Sequence, residues 1–300
     1  MEQKPDFETG VNYWANTEAS VNGVLGGYGE GTPVPRLDAT SSRLLILSLM
    51  PYLSTIIPPH SSSTTPPRPK RAFRALDCGA GIGRVTSTVL LPLFDSVDLV
   101  EPVPSFVKQA KKDAVAGKQG WKNLHPRKDE DGEELQVKSA RIWRAGLQHF
   151  NPLSPAVPVP TSSTSNPSVE LFASLGNSDF KFPNPESELD PTEEGYDLIM
   201  IQWCIGHLSD EELADFLRRS QKALRRNKDG KVEGHIIVKE NTCKDEEQDG
   251  RLFDDEDSSI TRSDAAFKAV FKHAGLRLLK REVQQGFPKE LFPVVAYALQ

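Results

Sequence analysis

The stretch AFRALDCGAGIGR (72–84) determines the fold that we expect for this chain. A short apolar run ends in glycines at alternate positions, a pattern typical of a buried strand followed by a tight turn. Gly79, Gly81 and Gly83 would let the backbone approach a ligand closely at the carboxyl end of a parallel sheet. The loop departs from the dinucleotide pattern G-x-G-x-x-G, because Arg84 stands where the third glycine would fall.

Six further apolar runs follow this loop, and helical patterns separate most of them. The predicted strands are 72–79, 96–102, 140–147, 196–203, 235–241, 276–284 and 294–300, and the predicted helices are 84–94, 105–115, 209–226 and 262–275. Strands that alternate with helices favour an α/β fold. We therefore expect a doubly wound, mostly parallel sheet of seven strands.

The remaining segments differ from this core (72–300) in composition. Residues 1–53 carry an apolar helical stretch at 41–53 and are expected to be a helical part of the same domain, whereas 54–71 reads as a flexible linker. Polar residues fill 117–138, and 151–195 holds eight prolines without sustained periodicity. We predict both as disordered insertions.

Composition excludes several classes of protein. The chain has 300 residues and a formal net charge of −6, which argues against a nucleic-acid binder held mainly by phosphate contacts. No apolar run approaches the ~20 residues of a membrane span, and the first ten residues lack a signal-peptide pattern. The three cysteines form no CxxC pair, so neither a disulfide framework nor a metal site is expected. A reducing compartment follows, with a cytoplasmic location as the expectation.

An acidic residue after the second strand indicates which ligand the glycine loop binds. Glu101 lies where its carboxylate could accept hydrogen bonds from both hydroxyls of a ribose. S-adenosylmethionine has a ribose but no phosphates, so its loop needs close approach rather than an anion cradle. The pattern therefore predicts S-adenosylmethionine as the cofactor, and incidental glycines in a strand–turn–helix are the plainer alternative.

Two more clusters follow strands that end at the same edge of the sheet. IQWCIGHL (201–208) contributes Gln202, Trp203 and His207, and Asn241 ends the fifth strand. We expect these side chains to face the crevice, although a histidine at a helix start often makes only a structural hydrogen bond. The acidic stretch beyond Asn241 would suit a cationic substrate, and its spacing does not match a calcium loop.

These motifs together closely resemble the protein α-N-terminal methyltransferases. The resemblance rests on YW (13–14), VLGGYG (24–29), LDCGAGIGRVT (76–86), VDLVEP (97–102), GLQHF (146–150), YDLIMIQWCIGHLSD (196–210), VKEN (238–241) and DDEDSSITRSD (254–264). That family methylates the α-amino group of proteins that begin X-Pro-Lys or X-Pro-Arg after removal of Met. It implies a Rossmann-like class I methyltransferase fold with an N-terminal helical lid.

The resemblance also implies individual roles. Cofactor contacts are implied for Gly79 and Arg84 at the methionine part, Glu101 at the ribose, Leu147 and Gln148 at the adenine, and Gln202. Substrate contacts are implied for Trp203 on the second-position proline, Asp254 on the third-position Lys or Arg, Ser259 beside the proposed bases, and Trp14, Leu25 and Gly26 in the lid. Asn241 would hold the substrate's N-terminus, and Asp257 and His207 match the proposed general bases.

Other functions stay open at this point. The main alternative is a small-molecule methyltransferase that uses S-adenosylmethionine on the same core. A catalytically silent binding fold and an oxidoreductase are further alternatives. The resemblance implies ribosomal proteins with X-Pro-Lys starts as partners. RPKR (68–71) reads first as a basic linker, and as an import signal it would add a nuclear location.

Overall fold

A computed structural model describes residues 4–54, 69–160, 168–246 and 248–300. The strands are β1 (Arg74–Cys78), β2 (Ser96–Val100), β3 (Arg127–Lys128), β4 (Glu134–Leu135), β5 (Ser139–Arg144), β6 (Glu170–Gly176), β7 (Leu198–Gln202), β8 (His235–Asn241), β9 (Arg251–Asp254), β10 (Ser259–Arg262), β11 (Leu278–Val283) and β12 (Val294–Leu299). The α-helices are α1 (Phe7–Ala15), α2 (Val21–Val24), α3 (Val34–Leu49), α4 (Leu91–Leu93), α5 (Pro104–Val115), α6 (Asp210–Lys222) and α7 (Asp264–His273). Short 3₁₀ segments cover Pro51–Leu53, Gln119–Leu124, Ile205–His207 and Gln248–Gly250, and a π-helical turn covers Thr86–Leu90.

Among the described residues, one sheet contains eight strands in the order β11-β12-β8-β7-β1-β2-β5-β6. The central pairs from β8 to β5 are parallel, and β12, β11 and β6 are antiparallel to their neighbours. Strand β1 is buried at every residue, including the charged Arg74 and Asp77 that interrupt its apolar run. The predicted α/β class and its mostly parallel sheet are confirmed, and all seven predicted strands are present.

The eighth strand, β6, lies inside the segment 151–195, so the prediction of disorder there is wrong for the described residues 151–160 and 168–195. β6 pairs along β5, and its half-buried Phe172, Ala173 and Leu175 pack against the core at the sheet edge. Ser154 and Leu189 are buried on either side of it in the chain. Such a short edge strand is hard to predict here, because the prolines lie in the segments that flank it and not in the strand itself.

The segment 117–138 is likewise ordered, contrary to the prediction. Its 3₁₀ turn places Trp121 in the core, where the side chain is only 2% exposed. Gly83 makes room for this ring, since a Cβ there would come 2.4 Å from Trp121 Cζ2. The rest of the segment forms the hairpin β3–β4. One buried aromatic thus anchors an otherwise polar stretch.

The N-terminal 53 residues divide into two parts. Helix α3 begins at Val34, seven residues before the predicted start at 41, and it buries Leu45 and Ile46 in a cluster with β1. Helices α1 and α2 instead pack near Phe106 and Ile82, above the glycine loop. Helices α1 and α2 therefore cover the sheet edge, whereas most of α3 joins the core. Of the predicted linker 54–71, residues 55–68 lie outside the described residues.

Within the described ranges, no helix combines the length and the apolar character that crossing a bilayer requires. The same ranges contain no group of three or more His, Cys, Asp or Glu side chains arranged to hold a metal ion.

Candidate active site

The glycine turn after β1 is as tight as its sequence predicts. Gly79, Gly81 and Gly83 have φ angles of +60°, +56° and +76°, which L side chains rarely adopt. A Cβ on Gly79 would come 2.2 Å from the Cβ of Cys204, so the turn packs directly on the segment that follows β7. Two strand ends are thereby brought together at one edge of the sheet.

A cavity lies against this turn, and we call it the glycine-loop cavity. Its lining includes all six residues predicted to bind the cofactor, namely Gly79, Arg84, Glu101, Leu147, Gln148 and Gln202. Helices α1 and α2 cover it through Trp14 and Leu25, among others. The structure therefore brings the six predicted residues together around one cavity, and side chains of the N-terminal segment cover it.

Glu101 is positioned by backbone donors on both sides. Its Oε2 accepts from Gly81 N at 2.8 Å, and its Oε1 accepts from Val103 N at 2.8 Å. Burial raises the pKa of Glu101 to about 7, although both backbone bonds oppose that shift. Each carboxylate oxygen keeps a second lone pair, so the group can still accept hydrogen bonds from two ribose hydroxyls.

Arg84 and Gln202 share a partner that the sequence did not predict, the buried Asp38 of α3. Arg84 Nη1 lies 2.6 Å from Asp38 Oδ2, and Gln202 Nε2 lies 2.9 Å from Asp38 Oδ1. Gln202 Oε1 is buried and has no hydrogen-bond partner among the described residues. The cavity therefore offers a guanidinium for a carboxylate and a free acceptor for an ammonium, which fits the methionine end of S-adenosylmethionine.

A second cavity lies beside the β9–β10 hairpin, and we call it the hairpin cavity. The predicted residues in its lining are Trp14, Leu25, Gly26, Trp203, His207, Asn241, Asp257 and Ser259. Asp254 is not among the lining residues. It is exposed at the end of β9, where its Oδ1 accepts from Glu256 N at 2.9 Å. The structure thus brings together every predicted catalytic and substrate residue except Asp254.

The two cavities adjoin each other along a shared wall. Trp14, Leu25, Trp203 and His207 line both of them, together with Val24 and Cys204. Trp203 adopts a φ of +52°, and the guanidinium carbon of Arg84 lies 5.5 Å from its ring centroid. The ring of Phe287, a residue that the sequence did not single out, lies 6.4 Å from Trp203 on the hairpin-cavity side.

His207 joins helix α1 to the floor of the site. Trp14 Nε1 donates to His207 Nε2 at 2.9 Å, and α1 approaches so closely that a Cβ on Gly10 would come 2.8 Å from His207 Nδ1. Burial lowers the pKa of His207, although the charge of Asp257 opposes the shift. Because an indole N–H can only donate, Nε2 carries no proton, and the neutral ring holds its proton on Nδ1.

Asp257 and Asn241 are two of the polar residues that line the hairpin cavity, beside Tyr28, Glu240, Ser259, Thr261 and Glu290. Asp257 Oδ1 is buried without a hydrogen-bond partner among the described residues. The neighbouring Ser258 has a φ of +54°, and its Oγ accepts from Asp6 N at 2.8 Å, at the start of α1. Asn241 ends β8 opposite Val294 of β12. The cavity lining therefore includes an amide and a carboxylate whose buried Oδ1 is unsatisfied among the described residues.

Solved structures share this architecture. A Leishmania major protein described as a SAM-dependent methyltransferase matches with a TM-score of 0.62 and 29% identity, over 98% of this chain and 82% of that chain. Phosphoethanolamine N-methyltransferase 1 of Haemonchus contortus, solved with S-adenosylhomocysteine, matches with a TM-score of 0.54 at 14% identity over 98% of this chain and 47% of that chain, which shows the fold alone. The protein is a class I methyltransferase that uses S-adenosylmethionine.

The sequence places the chain more closely. It belongs to the family described as AdoMet dependent proline di-methyltransferase, whose profile matches residues 2–154 and 175–300. Alpha N-terminal protein methyltransferase 1 of Schizosaccharomyces pombe is 31% identical over all of this chain and 98% of its own length. N-terminal Xaa-Pro-Lys N-methyltransferase 1-B of Xenopus laevis is 32% identical over 96% and 92% of the two chains. The resemblance drawn from the motifs is thus confirmed.

Proposed function

We propose that this enzyme transfers methyl groups from S-adenosylmethionine to the α-amino group of proteins that begin X-Pro-Lys or X-Pro-Arg after removal of Met. The names of the relatives support this substrate class. The observation that carries it is the shared wall of the two cavities, beside which Asn241 and Asp257 lie. A chain terminus in the hairpin cavity would meet the cofactor there.

Methyl transfer requires the protein to hold a neutral α-amino group in line with the methyl group of the cofactor. The bound cofactor supplies that methyl group already activated as a sulfonium. A free α-amino group has a pKa of about 7.7–8.0, so the protein must remove one proton from a group that loses it easily. Asn241 orients the nitrogen without adding charge, and Asp257 accepts the proton through its free Oδ1.

His207 serves a different role in this proposal. Its Nε2 lone pair is already occupied by Trp14, and its Nδ1 carries the proton of the neutral ring. Neither nitrogen can accept another proton while the Trp14 bond is in place. We therefore assign proton removal to Asp257, and to His207 the task of holding helix α1 over both cavities.

Two features of the hairpin cavity suit the second and third substrate residues. Proline has a rigid ring and no backbone N–H, so it can be selected by packing alone. The rings of Trp203 and Phe287 offer such an apolar surface. Beyond the cavity, we assign the third-position Lys or Arg to the exposed carboxylate of Asp254, at the end of β9.

Mass spectrometry of an X-Pro-Lys peptide incubated with the enzyme and S-adenosylmethionine tests the proposal. We expect mass gains of one or more methyl groups at the α-nitrogen, a sharp loss when proline is replaced by leucine, and a loss when lysine is replaced by glutamate. An acetylated N-terminus is the control and should stay unmodified. Methylation of a phenol or small amine in preference to the peptide would favour the small-molecule alternative instead.

We extend the proposal to ribosomal proteins with X-Pro-Lys starts as substrates, in the cytoplasm and, if RPKR (68–71) acts as an import signal, in the nucleus. Comparing the N-terminal peptides of ribosomal proteins from cells with and without the enzyme tests the substrates. Unchanged methylation of all such peptides would contradict this extension but leave the reaction class intact.

A further inference from the structure

A buried cluster beneath the glycine-loop cavity is built around the carboxylate of Asp38. Arg84, Gln202 and Lys239 all donate to it, and Lys239 Nζ lies 2.5 Å from Asp38 Oδ1. Arg84 and Gln202 line the cavity, whereas Asp38 and Lys239 are not among its lining residues. Two of the four groups can therefore touch a cofactor, and the other two can act only through them.

The carboxylate fixes which way the amide of Gln202 faces. Burial disfavours the charged form of Asp38, but the charges of Arg84 and Lys239 outweigh it and lower its pKa. An ionised carboxylate only accepts hydrogen bonds, so Gln202 must turn its NH₂ group toward Asp38. That orientation leaves Oε1, which is buried and has no partner among the described residues, as the acceptor that Gln202 can offer to a ligand in the cavity that it lines.

Lys239 holds the carboxylate itself in place. Its side chain is 2% exposed, and its Nζ also donates to Ser41 Oγ and Ser42 Oγ, each at 3.0 Å. Lys239 lies directly opposite Gln202 in the β7–β8 register. A single ammonium thus connects the sheet to α3 at the point where α3 presents Asp38.

We propose that Asp38 and Lys239 are positioning residues for the methionine end of S-adenosylmethionine: they hold Arg84 toward the cofactor's carboxylate and present Gln202 Oε1 to its ammonium. This inference rests on the proposed placement of the cofactor's methionine end at Arg84 and Gln202. It adds to the site a carboxylate and a lysine that no cofactor atom touches.

The test compares two ligands that share the nucleoside but differ at the methionine end. S-adenosylhomocysteine carries the amino and carboxyl groups, and 5′-methylthioadenosine lacks both. In Asp38→Asn, the Kd of S-adenosylhomocysteine by calorimetry should rise about 10- to 100-fold, as expected when a hydrogen bond to a charged group is lost. The Kd of 5′-methylthioadenosine should change by less than about threefold.

Lys239→Met gives a second measurement, since it keeps Asp38, Arg84 and Gln202 unchanged. Its matched control is Lys280→Met, because Lys280 Nζ also bonds a serine of α3, at 2.9 Å from Ser48 Oγ, but far along the helix from Asp38. We expect the selective loss of S-adenosylhomocysteine binding in Lys239→Met and not in Lys280→Met.

The outcomes distinguish a failure of this inference from a failure of the proposed placement of the cofactor's methionine end at Arg84 and Gln202. Equal weakening of both ligands, no weakening of either, or failure of both variants to fold would assign the cluster to stability and overturn the inference. Gln202→Ala and Arg84→Ala test the placement. If these two variants bind S-adenosylhomocysteine normally, the placement is wrong. If they lose S-adenosylhomocysteine binding selectively but the Asp38 and Lys239 variants do not, only the inference is refuted.

Discussion

Replacing Asp257 by Asn removes the proposed proton acceptor while keeping the size of the side chain. Because Oδ1 of Asp257 has no hydrogen-bond partner among the described residues, the change breaks no internal bond of that oxygen. We therefore expect a folded variant. Its turnover of an X-Pro-Lys peptide at pH 7 should fall by about 100-fold or more, the usual loss when a positioned general base is removed.

The pH dependence of this variant gives the sharper expectation. For an amine with a pKa of about 8, the neutral fraction rises from roughly one-tenth at pH 7 to roughly nine-tenths at pH 9. Without its base the enzyme depends on that fraction. The turnover of Asp257→Asn relative to the wild type should therefore recover by up to about tenfold across this interval, measured as initial rates by mass spectrometry at saturating cofactor.

His207→Asn is the matched control for this experiment. It removes the 2.9 Å bond from Trp14, a neutral hydrogen bond whose loss costs about 0.5–1.5 kcal/mol, or about 2- to 12-fold. No relative recovery toward pH 9 is expected, because the base remains. A larger loss in His207→Asn than in Asp257→Asn, or a deficit of Asp257→Asn that is constant with pH, would refute the assignment of the proton to Asp257.

Three further expectations follow from the fold and the cofactor cavity. Burial raises the pKa of Glu101 to about 7, so its carboxylate becomes protonated as the pH falls through 7 and S-adenosylhomocysteine binding should weaken. Calorimetry on Glu101→Gln should show a Kd that depends less on pH. Gly79→Ala should abolish cofactor binding, because its Cβ would collide with Cys204 at 2.2 Å; near-normal affinity would mean that the turn adapts. Asp98 is buried and accepts from Arg74, Arg141, Trp143 and Tyr196. Burial raises the pKa of Asp98, but the charge of Arg141 above all lowers it to about 2. The stabilisation that the Asp98 carboxylate contributes is therefore present above pH 3.8 and is lost as the pH falls through 2. Asp98→Asn should lower the free energy of unfolding by about 3–5 kcal/mol in urea melts at pH 7.

The sheet and most of the site could be predicted because both depend on short-range patterns. Buried parallel strands appear as continuous apolar runs, and their carboxyl ends meet at one edge. That is why residues as distant along the chain as Glu101, Gln202 and Asn241 could be placed at adjoining cavities from the sequence alone. The eighth strand was missed because β6 is an edge strand between proline-rich turns, although VELFASL (169–175) alternates as an edge strand does.

The sequence did not predict a role for Asp38, because the predicted start of its helix was too late in the chain. The apolar pattern becomes clear only at 44–49, so the helix was predicted to begin near Ser41. In the structure α3 begins at Val34, with a proline in its first turn, where proline is favoured. Had Pro35 been taken as the signal for the helix start, the predicted helix would have begun earlier and included Asp38. Even so, only the tertiary structure shows that this carboxylate meets Arg84.

The same boundary changes how the N-terminal region contributes to catalysis. At the start of α1, Asp6 N donates to Ser258 Oγ of the hairpin, and Trp14 of α1 donates to His207 in the segment after β7. Helix α3 instead belongs to the core and bonds Arg84, Gln202 and Lys239 through Asp38. One stretch of the chain therefore covers the site where the amine would lose its proton, and the next orders the side chains that would hold the cofactor. In the proposed mechanism, covering the site and orienting the cofactor are separate tasks of one N-terminal segment, because α1 contacts the hairpin while α3 is fixed to the sheet.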